Sequence, residues 1–319
     1  MSFRQVSVSG FPALALRGAD VELIVAPALG MKVTNLRRLR GREWLWRNDQ
    51  IPLSPGAPGA SYIESADSGG WDECFPTVGP CPVPGAPGAP PLPDHGELWS
   101  ARWESAVSDH SGGTTITGTV AGTRFPCEFQ RAITVDAGEP VVRFRYRLRH
   151  LGGERFPWIW SAHPLFNVQP GTTLQLPGVS QARVSAAHGR PDAEHGDTLA
   201  WPGAVSGEPS VFTMPRRDAG WAMKLFADLG PTGEAILTDP REGERLIFRM
   251  DRGTVAQVGV WINCAGWAPA GRTPYFNMAV EPCIGAPDRL DQAVDEWQMA
   301  QTLAPGEERT WGVDVHLPG

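Results

Sequence analysis

Residues 141–149 constrain the fold more than any other part of the sequence, because their side chains alternate strictly between two classes. Every second position is apolar, namely Val142, Phe144, Tyr146 and Leu148. Arginines occupy the positions between them. Period two places the two classes on opposite faces of an extended chain, whereas a helix would scatter the arginines around its circumference. The segment is therefore predicted to be a strand with one buried face.

The same period of two recurs along the chain and indicates further half-buried strands. It is clear in residues 246–250, 258–262 and 311–317. The 37 glycines and 31 prolines are spread over the whole length and would interrupt any long helix. Only residues 290–297, after the candidate cap Asp288, have helical spacing, and they predict a short accessory helix. We therefore predict an all-β protein built on a large antiparallel strand system.

The charge distribution favours a neutral polar partner. The net charge is −7 and the basic residues are scattered, which argues against a nucleic acid or a membrane surface as the partner. No run approaches the ~18 apolar residues of a spanning helix, and the N-terminus lacks the apolar segment of a signal peptide. We expect a cytoplasmic protein that is a monomer or a weak homodimer.

The cysteines are predicted to be free thiols. Their number is odd and no CxxC pair occurs, so neither a disulfide framework nor a zinc clamp is indicated. The five residues are Cys74, Cys81, Cys127, Cys264 and Cys283.

Two Pro/Gly-rich segments, near residues 52–60 and 82–93, are predicted to be surface loops of a single domain that spans residues 1–319. A linker between domains is disfavoured because the residues before it are too few for a comparable domain. The functional alternative is a flap over a cleft. That alternative gains support because the second segment runs directly into Asp94, His95 and Gly96.

Two of the seven histidines differ from the others in their surroundings. His95 is followed by Gly96, which would allow the backbone or a ligand to come close. His163 follows three aromatic residues within seven positions. Each of the two, taken alone, also fits a structural hydrogen-bonding role. The remaining histidines are predicted to be solvated, and they are His110, His150, His188, His195 and His316.

Residues 275–288 contain Glu281, a carboxylate among apolar neighbours. Period two places Asn277 and Glu281 on the face opposite to the core side chains, and Pro282 ends the strand. A carboxylate with apolar neighbours tends to have a raised pKa, which suits a general base. The combination of His95, His163 and Glu281 therefore favours catalysis over separate structural roles.

The order of these motifs resembles the aldose 1-epimerase, or galactose mutarotase-like, family. The resemblance is carried by His95-Gly96, by residues 161–167 around His163, by Val280-Glu281-Pro282 with residues 285–288, and by residues 303–307. The strand pair predicted at residues 21–26 and 32–39 is similar to the family's usual start. Each motif is short, and their order and spacing over the whole chain make the resemblance.

The resemblance implies a β-supersandwich that binds a free monosaccharide and interconverts its α and β anomers without a metal or an organic cofactor. It implies that Glu281 takes the proton of the anomeric hydroxyl, that His163 protonates the ring oxygen, and that His95 hydrogen-bonds the sugar. These residue types suit the reaction, because a hemiacetal opens fastest when a base and an acid act together near neutral pH.

Further substrate contacts are predicted among aromatic and acidic residues close to the motifs. The four tryptophans nearest to the motifs, out of thirteen, are Trp71, Trp160, Trp261 and Trp267. Trp71 and Trp160 are included in the predicted site. Trp71 is followed by Asp72 and Glu73, whose carboxylates would bind sugar hydroxyls. Asn277, on the same strand face as the base, completes this set.

The sequence departs from the family in two places. No arginine lies between Asn48 and Ala101, where characterised mutarotases carry one. The family also carries an aspartate between the second histidine and the base, and the candidates are Asp218, Asp228 and Asp239, of which Asp239 is included in the predicted site. The departures predict a divergent member in which acidic residues replace the usual sugar clamp.

Three alternatives stay open. The first is a non-catalytic carbohydrate-binding protein of the same fold, which would have no use for an acid and a base. The second is a mutarotase that acts on a sugar phosphate, which the overall acidity disfavours. The third is a cupin-like metal site made of His95, His163 and Glu281, which is disfavoured because the ligands are widely dispersed and no HxH pair occurs.

Overall fold

The computed structural model describes residues 3–202 and 211–319, and its regular structure is almost entirely β. The strands are β1 (Phe3–Val8), β2 (Phe11–Gly18), β3 (Val21–Ala26), β4 (Lys32–Arg38), β5 (Trp71–Cys74), β6 (Glu104–His110), β7 (Gly113–Ala121), β8 (Cys127–Asp136), β9 (Val141–His150), β10 (Phe156–Trp158), β11 (Trp160–Phe166), β12 (Thr173–Gln175), β13 (Gln181–His188), β14 (Thr198–Ala200), β15 (Val211–Thr213), β16 (Trp221–Asp228), β17 (Glu234–Thr238), β18 (Arg245–Met250), β19 (Gln257–Cys264), β20 (Phe276–Ile284), β21 (Gln301–Leu303) and β22 (Glu308–His316). The helices are α1 (Tyr62–Ser65) and α2 (Leu290–Asp295), with 3₁₀ turns at Pro27–Leu29 and Arg217–Ala219. The predicted all-β class is confirmed.

The strands form two large sheets and one small one. The first sheet has eleven strands in the order β1-β2-β3-β4-β5-β11-β20-β19-β16-β13-β14. The second sheet has nine strands in the order β15-β12-β17-β18-β22-β9-β8-β7-β6, and β10 pairs with β21. The paired strands run antiparallel. The predicted antiparallel strand system is therefore confirmed.

The two large sheets pack against each other through aromatic side chains. Trp71 on β5 stacks on Phe144 of β9, with ring centroids 4.2 Å apart. Trp160 on β11 meets Trp311 of β22 with centroids 5.2 Å apart. Because aromatic rings bury large apolar areas, such contacts stabilise the core between the sheets. Each sheet consequently has an inner face toward this core and an outer face away from it.

Strand β9 shows the alternation from which the fold class is predicted. Its apolar side chains are buried between the sheets, and its arginines lie on the outer face. There they pair with acidic residues of the strands on either side. Arg147 contacts Glu128 of β8 at 2.5 Å, and Arg145 contacts Asp314 of β22 at 2.5 Å. Three of these arginines, Arg143, Arg145 and Arg147, are thus paired with carboxylates of the protein itself.

The predictions made outside the strands have different outcomes. The accessory helix is α2, but its N-cap residue is Arg289, without a side-chain cap. Asp288 instead directs its carboxylate to Lys224 and Ser185. All five cysteines are free, as predicted, and all five are buried. In residues 3–202 and 211–319, no helix is long and apolar enough to cross a membrane.

The long connections on either side of β5 supply residues that close over the outer face of the first sheet. They contain the two Pro/Gly-rich segments, and neither segment includes a named strand. The backbone N–H of His95 donates to the carbonyl of Val78 at 2.6 Å. At Gly96 the φ angle is 69°, and a Cβ there would lie 2.1 Å from the carbonyl oxygen of Phe75. Only glycine permits this close approach, which holds His95 against the sheet.

Candidate functional site

Five neighbouring strands of the first sheet, β11, β20, β19, β16 and β13, carry a cavity on its outer face. The volume of the cavity is about 330 Å³, at the lower end of the range of about 300–1,000 Å³ of small-molecule sites. Tyr62, His95 and Trp267 from the connections close it opposite the strands. A cavity of this size suits one small molecule.

Glu281 and His163 face each other at the floor of this cavity. Strands β20 and β11 are neighbours, and both side chains point outward because they occupy outer-face positions of the alternation. Glu281 is fully buried, and its Oε1 lies 3.9 Å from His163 Nε2. Its Oε2 accepts hydrogen bonds from Ser161 Oγ, at 3.2 Å, and from Lys224 Nζ. One carboxylate oxygen is therefore bound within the protein and the other is unpartnered.

Burial shifts the pKa values of both groups so that their neutral forms are favoured. Burial raises the pKa of Glu281, while the Lys224 ammonium opposes this rise and favours the carboxylate. Burial also holds the pKa of His163 well below its usual range, and the positive charges of His95 and Lys224 lower it further. His163 is therefore a neutral imidazole at neutral pH, and its protonated form would be a strong acid.

His95 has the opposite character. Burial alone would lower its pKa, but the carboxylate of Asp94 raises it above the usual value, with Nδ1 and Oδ1 2.7 Å apart. The ring of His95 stacks on Tyr62, with centroids 4.1 Å apart, and meets the ring of His163 edge-on at 4.7 Å. The pKa values of the two neighbouring imidazoles are therefore shifted in opposite directions, upward for His95 and downward for His163.

Lys224 and Asp288 are two residues of the site that the sequence reasoning missed. Lys224 lies on β16, and its side chain is 7% exposed. Its Nζ binds Glu281 and lies 3.3 Å from Asp288 Oδ1. Burial would lower its pKa, but the two carboxylates raise it above the usual value. The available signal was a single lysine among the buried apolar residues of strand Trp221–Asp228, because a buried charge needs a partner.

Aromatic side chains form one wall of the cavity. The rings of Trp261 and Trp267 meet at right angles with centroids 5.6 Å apart. His188, at the end of β13, lies 6.2 Å from Trp261 and 6.0 Å from Trp267. The prediction that His188 is solvated is wrong, because it is part of this wall and partial burial lowers its pKa. The wall offers flat apolar surfaces opposite the charged floor.

Several buried oxygen atoms around the cavity accept no hydrogen bond from the described residues. Three of them are Asp67 Oδ1, Asn277 Oδ1 and Glu281 Oε1, whereas Asp288 Oδ1 lies 3.3 Å from the Lys224 ammonium. Burial raises the pKa of Asp67 to about 6. Asn277 lies on β20 with Glu281 and lines the cavity, where the sequence reasoning expected a ligand contact. Since an unpaired buried polar group is costly, these acceptors suit a ligand rich in hydrogen-bond donors.

Trp71, Glu73 and Trp160 do not line the cavity, which corrects their inclusion in the predicted site. All three side chains point to the inner face of the first sheet. Glu73 accepts hydrogen bonds there from the indoles of Trp71, at 3.1 Å, and Trp160, at 2.8 Å. It also forms a buried ion pair with Arg131 at 3.1 Å. The physical reason is the pleat, which sends alternate residues of β5 to opposite faces.

Asp72 and Asp239 are also outside the cavity lining. Asp72 points to the outer face but lies beneath Tyr62, whose hydroxyl donates to it at 2.7 Å, and it is paired with Lys32. Asp239 belongs to a different surface depression, where Arg42 is its ion-pair partner. The other two candidate aspartates, Asp218 and Asp228, are exposed. The aspartates that line the cavity are Asp67 and Asp288.

The site does not favour a metal ion. In the two described ranges, no group of three or more histidine, cysteine, aspartate or glutamate side chains is arranged to hold one. The ammonium of Lys224 already occupies the bound oxygen of Glu281. A cation next to that ammonium would be repelled, which disfavours the cupin-like alternative.

Solved structures with the same fold cover nearly the whole chain. The Slr1438 protein from Synechocystis sp. PCC 6803 is 16% identical, with a TM-score of 0.69 and 98% of each chain covered. The galactose mutarotase related enzyme from Lactobacillus acidophilus is 15% identical, with a TM-score of 0.67, over 96% of this chain and 97% of that one. The galactose mutarotase-like protein from Clostridium acetobutylicum is 12% identical, with a TM-score of 0.67, over 99% and 98%. No protein-family model and no curated protein matches the sequence. The chain therefore has the galactose mutarotase-like fold that its motif order implies.

Proposed function

We propose that the protein is an aldose 1-epimerase that interconverts the α and β anomers of a free monosaccharide. The proposal rests on one observation, the free Glu281 Oε1 that lies 3.9 Å from His163 Nε2 in a small cavity. Ring opening of a hemiacetal needs a proton acceptor at one oxygen and a proton donor at another. The anomeric hydroxyl and the ring oxygen share one carbon, so groups at this separation can serve both.

In the proposed reaction, Glu281 Oε1 takes the proton of the anomeric hydroxyl while the bond between the anomeric carbon and the ring oxygen breaks. The ring oxygen receives the electron pair of that bond and a proton from His163. The products are an open-chain aldehyde, a protonated Glu281, and a pair of histidines, His95 and His163, that together hold one proton fewer. Rotation about the bond to the anomeric carbon, followed by closure with both proton transfers reversed, gives the other anomer and restores the site.

The proton on His163 is proposed to come from His95. His163 is neutral in the resting site, whereas Asp94 raises the pKa of His95, whose ring lies 4.7 Å from that of His163. The low pKa of His163 makes its imidazolium a strong donor to the weakly basic ring oxygen. In this scheme His95 both binds the sugar and supplies positive charge.

The lining of the cavity favours an unphosphorylated substrate. The carboxyl groups of Asp67, Glu281 and Asp288 surround it, and only Lys224 and His95 oppose them. A phosphate group would meet this acidic lining in a low-dielectric site, where repulsion between like charges is strong. Sugar hydroxyls would instead donate to the unpartnered oxygens, with one face of the ring against Trp261.

The decisive experiment follows the anomers of freshly dissolved α-aldoses by NMR. We expect the wild-type protein to equilibrate at least one aldose faster than buffer does. Replacement of Glu281 by Gln should reduce the catalysed rate by about 10²–10⁴-fold, the usual contribution of a general base. Glu43→Gln is the control, because Glu43 is a partly buried carboxyl that binds backbone and Asn35 outside the cavity. It should leave the rate unchanged.

The outcomes separate catalysis from binding alone. If no aldose equilibrates faster than in buffer, the catalytic proposal fails. Saturable binding of the same sugars by the wild-type protein would then favour the carbohydrate-binding alternative. An unchanged rate in the Glu281→Gln variant would refute the role of Glu281 and leave the activity in place.

A further inference from the structure

We propose that Lys224 is a positioning residue that binds one carboxylate oxygen of Glu281 and thereby reserves the other oxygen for proton transfer. The inference rests on the proposed function of the cavity. Lys224 lies on β16 and Glu281 on β20, with β19 between them. The two side chains therefore meet across an intervening strand, which requires an opening in that strand.

Gly259 provides the opening. It lies on β19, opposite Glu281 on one side and opposite Phe226 on the other. A Cβ at this position would lie 3.3 Å from Glu281 Oε2 and 3.2 Å from the ring of Phe226. Because no side chain projects from Gly259, the ammonium of Lys224 reaches Glu281 Oε2 across the strand. The local sequence of β19 thus admits the ion pair.

The ion pair makes the two oxygens of Glu281 different. Oε2 is bound by Lys224 and by Ser161, whereas Oε1 has no partner and faces His163. Both charged side chains are buried, and an isolated charge at either position would be strongly unfavourable. With Oε2 held at two points, the carboxylate keeps one orientation. The free oxygen therefore stays directed at the place where the anomeric hydroxyl would bind.

The ionisation of Glu281 depends on groups from every element around it. They are Lys224 on β16, Asp288 after β20, His163 on β11, His95 in the connection, and the thiols of Cys74 and Cys283. Burial raises the pKa of both thiols, so they are uncharged. Lys224 lowers the pKa of Glu281 and Asp288 raises it, so removing either should shift the titration in opposite directions.

The test measures the ionisation of Glu281 directly, without turnover. Infrared difference spectra during a pH titration report its protonated carboxyl band, which is assigned by its loss in Glu281→Gln. In Lys224→Met we expect the midpoint to rise by about 1–3 pH units, the usual effect of one close opposite charge. Lys32→Met is the control, because Lys32 is a buried lysine paired with Asp72 on the same sheet. It should lose stability without moving the Glu281 midpoint.

Further variants keep the test decisive. Asp288→Asn should lower the Glu281 midpoint, opposite to Lys224→Met. If Lys224→Met does not fold, Gly259→Ala replaces it, because its methyl group crowds Glu281 Oε2 and should raise the midpoint. An unchanged or lowered midpoint in the folded Lys224→Met or Gly259→Ala variant overturns the proposal. The spectra need no substrate, so this result is distinct from a failure to find mutarotation.

Discussion

The buried carboxylate of Glu73 gives a stability prediction that the structure makes quantitative. Glu73 and Arg131 are both completely buried between the sheets and lie 3.1 Å apart. Glu73 also accepts hydrogen bonds from the indoles of Trp71 and Trp160 and from the hydroxyl of Tyr146. All these neighbours are donors. The amide of a Glu73→Gln variant must turn its own NH₂ group toward one of them and leaves the arginine without a counter-charge.

The expected loss of stability follows from these contacts. Removing one partner of a buried ion pair costs about 3–5 kcal/mol, and this cost applies in full above pH about 7, because burial raises the pKa of Glu73 to about 7. Unfolding entropy is about 2.1 cal/mol/K per residue, which for 319 residues is about 0.7 kcal/mol/K. Dividing the first quantity by the second predicts that Glu73→Gln lowers Tm by about 4–7 °C. The cavity on the outer face is untouched, so no change in the sugar site is expected.

Scanning calorimetry of wild type, Glu73→Gln, Arg131→Met and the double variant provides the measurement. The double variant should be less destabilised than the sum of the single variants, because neither buried charge is left alone. A Tm within about 1 °C of wild type in Glu73→Gln would show that the charge of Glu73 does not stabilise the core. Simple additivity of the two single effects would show that the pair is not coupled.

Three further predictions concern the cavity. Asp94→Asn should lower the pKa of His95 by about 1 unit, measured by NMR of the imidazole. Because the pKa of His95 is raised in the folded state, the stability that His95 contributes is lost as pH rises through that pKa. The stability lost over this pH range should be smaller in the variant. Trp261→Ala should weaken sugar binding about tenfold, or about 1.4 kcal/mol, with little effect on kcat; an unchanged KM would exclude stacking on this ring. Sugar affinity should fall as pH drops through about 6, where Asp67 gains a proton, and Asp67→Asn should remove this pH dependence in calorimetric titrations.

The strands were predictable because burial imposes a simple pattern on them. In β9 one face is apolar and the other carries arginines, so period two identifies both the strand and its orientation. The signal fails in β5, where all of Trp71, Asp72, Glu73 and Cys74 are buried. Alternation there separates two faces but does not tell which one carries the cavity. For that reason the sequence does not reveal that Trp71 and Glu73 lie outside the cavity lining.

The rest of the site depends on contacts that sequence spacing does not encode. Lys224 and Glu281 are 57 residues apart, and they meet only because β16, β19 and β20 are neighbours in the first sheet. Asp288 has the sequence context of a helix cap, yet its carboxylate forms an ion pair with Lys224 instead. His188 ends β13 beside a glycine, which is typical of a solvated turn. Strand order, rather than local pattern, brings these groups together.

The arrangement of β5, β11 and β20 also has consequences for how the protein is made. Ser161 and Glu281 touch across β11 and β20 although they are 120 residues apart, so this part of the sheet has high contact order and should fold slowly. β11 pairs with β5 on its other side, and its partner β20 is synthesised much later. Until β20 has been synthesised, the N–H and C=O groups along one edge of β11 therefore lack their strand partner. Expression yield should depend on how well chaperones shield that edge until the last strands emerge.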